Sequence, residues 1–135
     1  MTTYDVPADL PECPPDGCIC ASLWIPNHCG EPNENMIGYN CRVTNVKPTA
    51  RALAPAKAPV FCEDDPSKCV QGAKGVIVFN QLEGNNIDIT GYQKDRLFKS
   101  PGYNYKTGFA DGAQNDIFVD VTRSRSHSRR AWLAS

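Results

Sequence analysis

The residues of this chain best suited to chemistry are its cysteines. Cys13, Cys18, Cys20, Cys29, Cys41, Cys62 and Cys69 all lie in the first part of the 135 residues, and no cysteine follows them. Thiols at this density either crosslink in an oxidising compartment or hold zinc in a reducing one. Structural zinc sites favour paired C-x2-C knuckles. The close pairs here are Cys13-x4-Cys18 and Cys18-x-Cys20, with no second knuckle after them. The pattern reads as a disulfide framework, and an odd count leaves at least one thiol unpaired or paired outside the chain. Cys62 and Cys69 bracket a short acidic loop and are expected to close it. Pro14-Pro-Asp-Gly17 is a turn that brings Cys13 and Cys18 together. Each closure removes unfolded-chain entropy worth about 2–4 kcal/mol.

Other candidates have plainer readings beside the chemical ones. His28 could ligate a metal, but it sits in a loop next to Cys29 and is expected to be solvated; His127 lies in a basic tail. Glu63, Asp64 and Asp65 could form a calcium site or a catalytic acid. The calcium-loop spacing is absent, so a solvated acidic loop is expected. Asp111-Gly-Ala-Gln-Asn-Asp116 reads as a turn whose Asp and Asn side chains bond their own backbone. Trp24, Tyr92, Tyr103 and Tyr105 could stack on sugar rings, although Trp24, inside an apolar run, is expected in the core. Nucleophile motifs, phosphate loops and dinucleotide fingerprints are missing.

The elements that must position these residues are short. Residues 19–25, 39–46, 75–79, 87–90 and 117–121 read as strands between turn signals. The run 75–79 is apolar on both faces and is expected to be buried. Residues 47–59 contain Pro48, Pro55 and Pro59, which forbid a regular helix and leave a linker or an extended edge. Several short strands without a long amphipathic helix imply an all-β sandwich or small barrel. A domain over residues 1–121 is expected, followed by an Arg/Ser tail over 122–135. That tail reads as disordered, with RNA contact or translated non-coding sequence as alternatives. Residues 1–122 carry net −5 (15 acidic against 10 basic) and the remainder +4, so polyanion binding by the body is disfavoured. Apolar runs are too short for a membrane span, and the first residues lack the basic and apolar regions of a signal peptide.

Eight stretches point to one family. They are Asp5-Val-Pro-Ala-Asp-Leu-Pro11, Cys18-Ile-Cys-Ala21, Trp24-Ile-Pro-Asn27, Cys29-Gly-Glu-Pro-Asn33, Lys68-Cys-Val-Gln-Gly-Ala-Lys74, Asn80-Gln-Leu-Glu-Gly-Asn-Asn-Ile-Asp88, Lys99-Ser-Pro-Gly-Tyr-Asn104 and Gly108-Phe-Ala-Asp-Gly-Ala-Gln-Asn-Asp-Ile-Phe118. In this order they resemble the later half of the fungal lytic polysaccharide monooxygenases of auxiliary-activity family fourteen. The resemblance implies an immunoglobulin-like β-sandwich, here partial, loop-rich and disulfide-stapled. It implies secretion, copper, and oxidative attack on xylan coating cellulose. It also implies the pairs Cys13–Cys18 and Cys20–Cys41, which with Cys62–Cys69 leave Cys29 over.

The family's copper sits in a histidine brace: the amino group and ring of an N-terminal histidine, a second histidine, and an axial tyrosine. The first residue here is Met1, the second histidine would lie upstream of the matching region, and the axial position falls on Asn35. Tyr39 is nearby but out of register. No catalytic or metal-binding residue is therefore assigned to this chain, and no cofactor is expected for it as it stands. It is expected to be the C-terminal part of such an enzyme, inactive alone. The alternative is a non-catalytic, secreted, disulfide-rich protein that binds carbohydrate or a partner. Half a sandwich also exposes strand edges, so self-association is expected.

Overall fold

The computed structural model describes residues 3–26 and 34–120. The expectations for His28, Cys29, Val121 and residues 122–135 lie outside them.

Two strands form a regular ladder, β1 (Cys18–Trp24) and β2 (Asn35–Cys41), paired antiparallel from Cys18↔Cys41 to Trp24↔Asn35. The chain enters β1 through the Pro14–Gly17 turn, closed by the Gly17 amide donating to the Pro14 carbonyl at 2.8 Å. Gly17 takes φ +94°, a left-handed backbone open to glycine at little cost. The turn brings Cys13 to Cys18, and the two are bonded, with Cα atoms 5.4 Å apart. A second disulfide, Cys20–Cys41, links the strands diagonally on the face that also carries Tyr39. This staple displaces the second strand from its expected position. The ladder runs over 35–41 rather than 39–46, because pairing with β1 ends where the crosslinks end. Beyond it the Arg42 guanidinium donates to the Pro15 carbonyl at 3.4 Å.

The core lies elsewhere. Ile77, Phe79 and Ile87 are buried together, with Ile25, Phe61, Ile89 and Tyr103 packed around them. Residues 75–79 are extended but join no ladder, and only one face is buried: Ile77 is fully enclosed while Val76 is 44% exposed. The reason lies in their partners. The Asn86 carboxamide accepts from the Val78 amide at 2.8 Å and donates to the Val76 carbonyl at 2.8 Å, and its own amide donates to the Val78 carbonyl at 2.9 Å. The Ile77 amide donates to the Tyr103 hydroxyl at 3.0 Å. Side chains thus supply the bonds a neighbouring strand would otherwise make. Removing the Asn86 amide leaves a donor and an acceptor unmatched beside the core, each worth roughly 1–3 kcal/mol when buried and less where water reaches. Asn86→Ala is expected to cost about 2 kcal/mol in urea unfolding. A loss below about 0.5 kcal/mol would show that water replaces the carboxamide.

Three further features complete the frame. The 52–54 stretch of the proline-rich segment pairs with 117–119, with the Ala54 amide donating to Ile117 and the Val119 amide to Ala52, both at 2.9 Å. The Cys62–Cys69 disulfide closes the acidic loop around a 3-10 turn, Pro66–Lys68. A second 3-10 turn, Tyr105–Thr107, is capped by Asn104, and the Cys62 amide donates to the Lys106 carbonyl at 2.8 Å. The described residues are strands and loops with almost no helix, consistent with the all-β class. Among them no helix is long and apolar enough to cross a membrane.

Candidate functional site

The first place to look is the open end of the β1–β2 ribbon, because Asn35 sits there. It pairs with Trp24, and both side chains share one face with Ser22, Ile37, Cys20 and Tyr39. Trp24 is 62% exposed, which overturns its expected place in the core. The chain turns its next residue, Ile25, inward against Ile77, Phe79 and Ile87 instead. Tyr39 lies on the Asn35 face but four residues along, about 13 Å away at about 3.3 Å per residue. It cannot take the place of a side chain at 35.

Glu34, beside Asn35, faces the core. Its carboxylate accepts from the Tyr103 hydroxyl at 2.6 Å, and that oxygen in turn accepts from the Ile77 amide. Burial and then the bond to Glu34 push the Tyr103 phenol well above its ordinary range, partly offset by the Ile77 amide. The contact moors the foot of β2 to the core, since residues 27–33 intervene between β1 and Glu34. The sign of the pH effect follows. A phenol raised on folding contributes stability that is fully present below its unfolded value of about 10 and is lost as pH rises towards the folded one. Tyr103→Phe is expected to lower stability at neutral pH by about 1 kcal/mol. It should also flatten the decline in urea midpoint above pH 10, and an unchanged decline would contradict this linkage.

These residues do not fit a copper ion. Copper of the type in question takes imidazole and amine nitrogens in a tetragonal array. Asn35 offers a carboxamide, Glu34 is engaged by Tyr103, and six cysteines are in disulfides. Among the described residues no three His, Cys, Asp or Glu side chains gather as a metal site.

The second place is an open groove of about 690 Å³ over the core. Phe79 and Ile87 form its floor, while Tyr92 and Phe98 rise at one side, 60% and 54% exposed. Their rings lie 4.8 Å apart between centroids and are tilted by 31°. A tight hairpin holds them: the two residues form an antiparallel bridge, the Gln93 amide donates to Leu97 at 2.8 Å, and the Lys99 amide donates to Gly91 at 3.1 Å. The tip is fixed by Asp95, whose carboxylate accepts from the Leu97 amide at 3.2 Å, and by Arg96 at φ 65°. Asn85 stiffens the opposite wall, its carboxamide exchanging two bonds with the Gln81 backbone at 2.9 Å each.

Of the aromatic residues singled out from sequence, Tyr92 lines the groove. Tyr105 is exposed with its hydroxyl 3.5 Å from Glu63, and Tyr103 is turned inward by the bonds above. Phe98 was not singled out. Two aromatic residues flanking the polar run 93–96 were the available signal for a hairpin.

The acidic loop is more than a solvated one. Asp65 caps the 3-10 turn by accepting from the Ser67 amide at 3.1 Å and lies 3.7 Å from Lys68. Asp64 pairs with Lys99 at 3.2 Å, and Glu63 pairs with the buried Lys106 at 3.4 Å. In the 111–116 turn the local bonds come mainly from Gln114, which exchanges two with the Ala110 backbone at 3.1 and 2.7 Å. Asp116 reaches away to accept from the Gly72 amide at 2.8 Å. That corrects the expectation for Asp116, while Asn115 bonds its own turn as expected, donating to the Ala113 carbonyl at 3.2 Å.

Comparison with known proteins places this frame. The family profile described as Lytic polysaccharide monooxygenase AA14 matches residues 1–130. The chain is similar to the AA14 family lytic polysaccharide monooxygenase B of Pycnoporus cinnabarinus, 38% identical over 131 residues, covering 89% of this chain and 33% of that protein. It is similar to the A protein of Trametes coccinea, 37% identical over 128 residues, covering 88% and 28%. It is also similar to the B protein of Talaromyces rugulosus, 35% identical over 118 residues, covering 87% and 36%. The chain spans about one third of the length of the curated relatives it matches.

Proposed function

Because this chain belongs to the AA14 family of lytic polysaccharide monooxygenases, we propose that it supplies polysaccharide-facing scaffold of that enzyme type and does not, as this polypeptide, oxidise polysaccharide. The enzyme type would be secreted, copper-dependent and directed at xylan on cellulose, and the chain would form part of its immunoglobulin-like sandwich. One observation carries the reading. The position that the family resemblance assigns to the axial ligand holds Asn35, exposed at the ribbon end, with Tyr39 about 13 Å off. A carboxamide supplies neither the phenol nor an imidazole nitrogen.

Supplying the polypeptide with copper and a reductant on xylan-coated cellulose, and weighing the soluble products by mass spectrometry, tests it. No oxidised xylo-oligosaccharide above a copper-only control is expected; their appearance would refute the reading. The same Asn35 also favours a second reading, a secreted disulfide-rich protein that only binds carbohydrate or a partner. The reading frame upstream of Met1 separates the two: a signal peptide followed directly by histidine would support the enzyme frame, and a native start at Met1 would support a binder alone.

Self-association is part of the proposal. Ile19, Met36, Ile37 and Tyr39 are more than half exposed on the ribbon, and its outer edges carry unpaired backbone groups. Sedimentation at rising concentration should show dimers or larger species, and a monomer throughout would remove this element.

A further inference from the structure

We propose that the groove beside Tyr92 and Phe98 binds a neutral, hydroxyl-rich glycan chain, with one sugar ring stacked on the aromatic pair. The inference rests on the polysaccharide-directed reading above and gives it a place. A pyranose ring is amphiphilic, with apolar C–H bonds on its faces and hydroxyls around its rim. A site for it needs a rigid apolar plate and polar groups set to one side.

The groove provides both. The plate is the outward face of one ring, backed by the other at 4.8 Å between centroids, and both side chains stay more than half exposed. Aromatic side chains have few torsions to freeze, and the hairpin bonds hold these two already, so little ordering is left for binding to impose. The polar side consists of the Thr90 hydroxyl and the carboxamides of Gln81 and Asn85. Asn85 uses one donor and one acceptor on the Gln81 backbone and Gln81 donates to the Phe79 carbonyl, so each keeps a further N–H and lone pair for a sugar hydroxyl. Such groups donate and accept at once, as sugar hydroxyls do. Two charged residues line the groove, Asp88 and Lys99; Lys99 is already paired with Asp64, so the lining offers no free positive charge to an acidic ligand. On the ribbon, Trp24 stands beside one carboxamide, that of its pair Asn35, whereas the groove joins two rings to several polar groups among the described residues.

The test uses the full polypeptide with xylohexaose, cellohexaose and polygalacturonate as probes, followed by titration calorimetry and by amide shifts in NMR. At least one hexasaccharide is expected to bind and to shift amides of the 80–99 stretch. Tyr92→Ala and Phe98→Ala are each expected to weaken binding at least tenfold, while Tyr92→Phe, which keeps the ring, stays within about twofold. These factors correspond to about 1.4 kcal/mol and less than 0.5 kcal/mol. Where alanine loosens the hairpin, Tyr92→Leu replaces it, keeping apolar bulk without a ring, and is expected to lose binding equally.

Several outcomes would overturn the assignment. If the groove variants bind as the wild type does while Trp24→Ala abolishes binding, the glycan-directed reading stands and the groove does not. If only polygalacturonate binds, the neutral-glycan assignment is wrong. If no glycan binds, the groove assignment falls, and the product analysis above decides separately whether the enzyme reading stands.

Discussion

Replacing Cys20 and Cys41 together by serine is expected to lower stability by about 3 kcal/mol and to release the β1–β2 ribbon. The bond closes 21 residues of sequence separation, and the chain-entropy relation gives about that figure for such a loop. The remaining ties lie at the ribbon's ends, the Cys13–Cys18 disulfide and the Glu34–Tyr103 hydrogen bond, and neither joins the two strands. The ribbon is two strands only, a form marginal in water without a third layer, and every residue of β2 before Cys41 is exposed. Amide exchange in 18–24 and 35–41 should become fast in the double serine variant, and trypsin should cut at Arg42. The shorter Cys62–Cys69 crosslink spans a separation of 7. By the same relation its removal costs nearer 2 kcal/mol. It should leave the ribbon protected, because the loop it closes packs on the 105–107 turn instead. Equal losses, or a ribbon still protected without Cys20–Cys41, would contradict this division.

Ile77→Ala is the second large effect, also expected near 3 kcal/mol. Ile77 is fully enclosed in a core that, among the described residues, it shares with buried Phe79 and Ile87 and the partly buried side chains around them. Isoleucine-to-alanine changes at such sites cost about 2–5 kcal/mol, the larger values where the cavity cannot collapse. Collapse is hindered here because the backbone at 76–78 is held by Asn86 and Tyr103 side chains rather than by a movable strand. Against a typical total of about 5–15 kcal/mol the loss is severe. The urea midpoint should fall by roughly a fifth to three fifths with the slope unchanged. Val76→Ala, on the exposed face of the same stretch, should cost below about 1 kcal/mol. A similar cost at both positions would mean that the stretch is buried on both sides, as its apolar run first implies.

What was legible in the sequence was local. The Pro14–Gly17 turn, the short acidic loop and the extended run from 19 can be read from neighbours a few residues apart, and each appears in the fold. The inward isoleucines of Ile87-Asp-Ile89 also appear, although residues 87–90 form no strand. What escaped was decided at a distance. The start of β2 depends on which residues of β1 lie opposite, and periodicity within 39–46 carries no trace of that register. The burial of one face of 75–79 depends on Asn86 and Tyr103, whose amide and hydroxyl look like turn and surface residues in the sequence. Trp24 is exposed on a ribbon face although it sits in an apolar run, and such a run does not tell an exposed ribbon from a core. In the candidate site, Tyr92 was identifiable by type. Its partner Phe98 became visible only when the intervening hairpin closed. Asn35 stood out through family resemblance, and the structure adds its exposure and its distance from Tyr39.

The central claim is that this polypeptide carries the family's frame without a copper brace of its own. Copper titration followed by electron paramagnetic resonance tests it most directly. The polypeptide, at neutral pH with Cu(II) added to one equivalent, is predicted to show only weakly held copper that a modest chelator removes. A stoichiometric type-two signal that persists against the chelator would contradict the account.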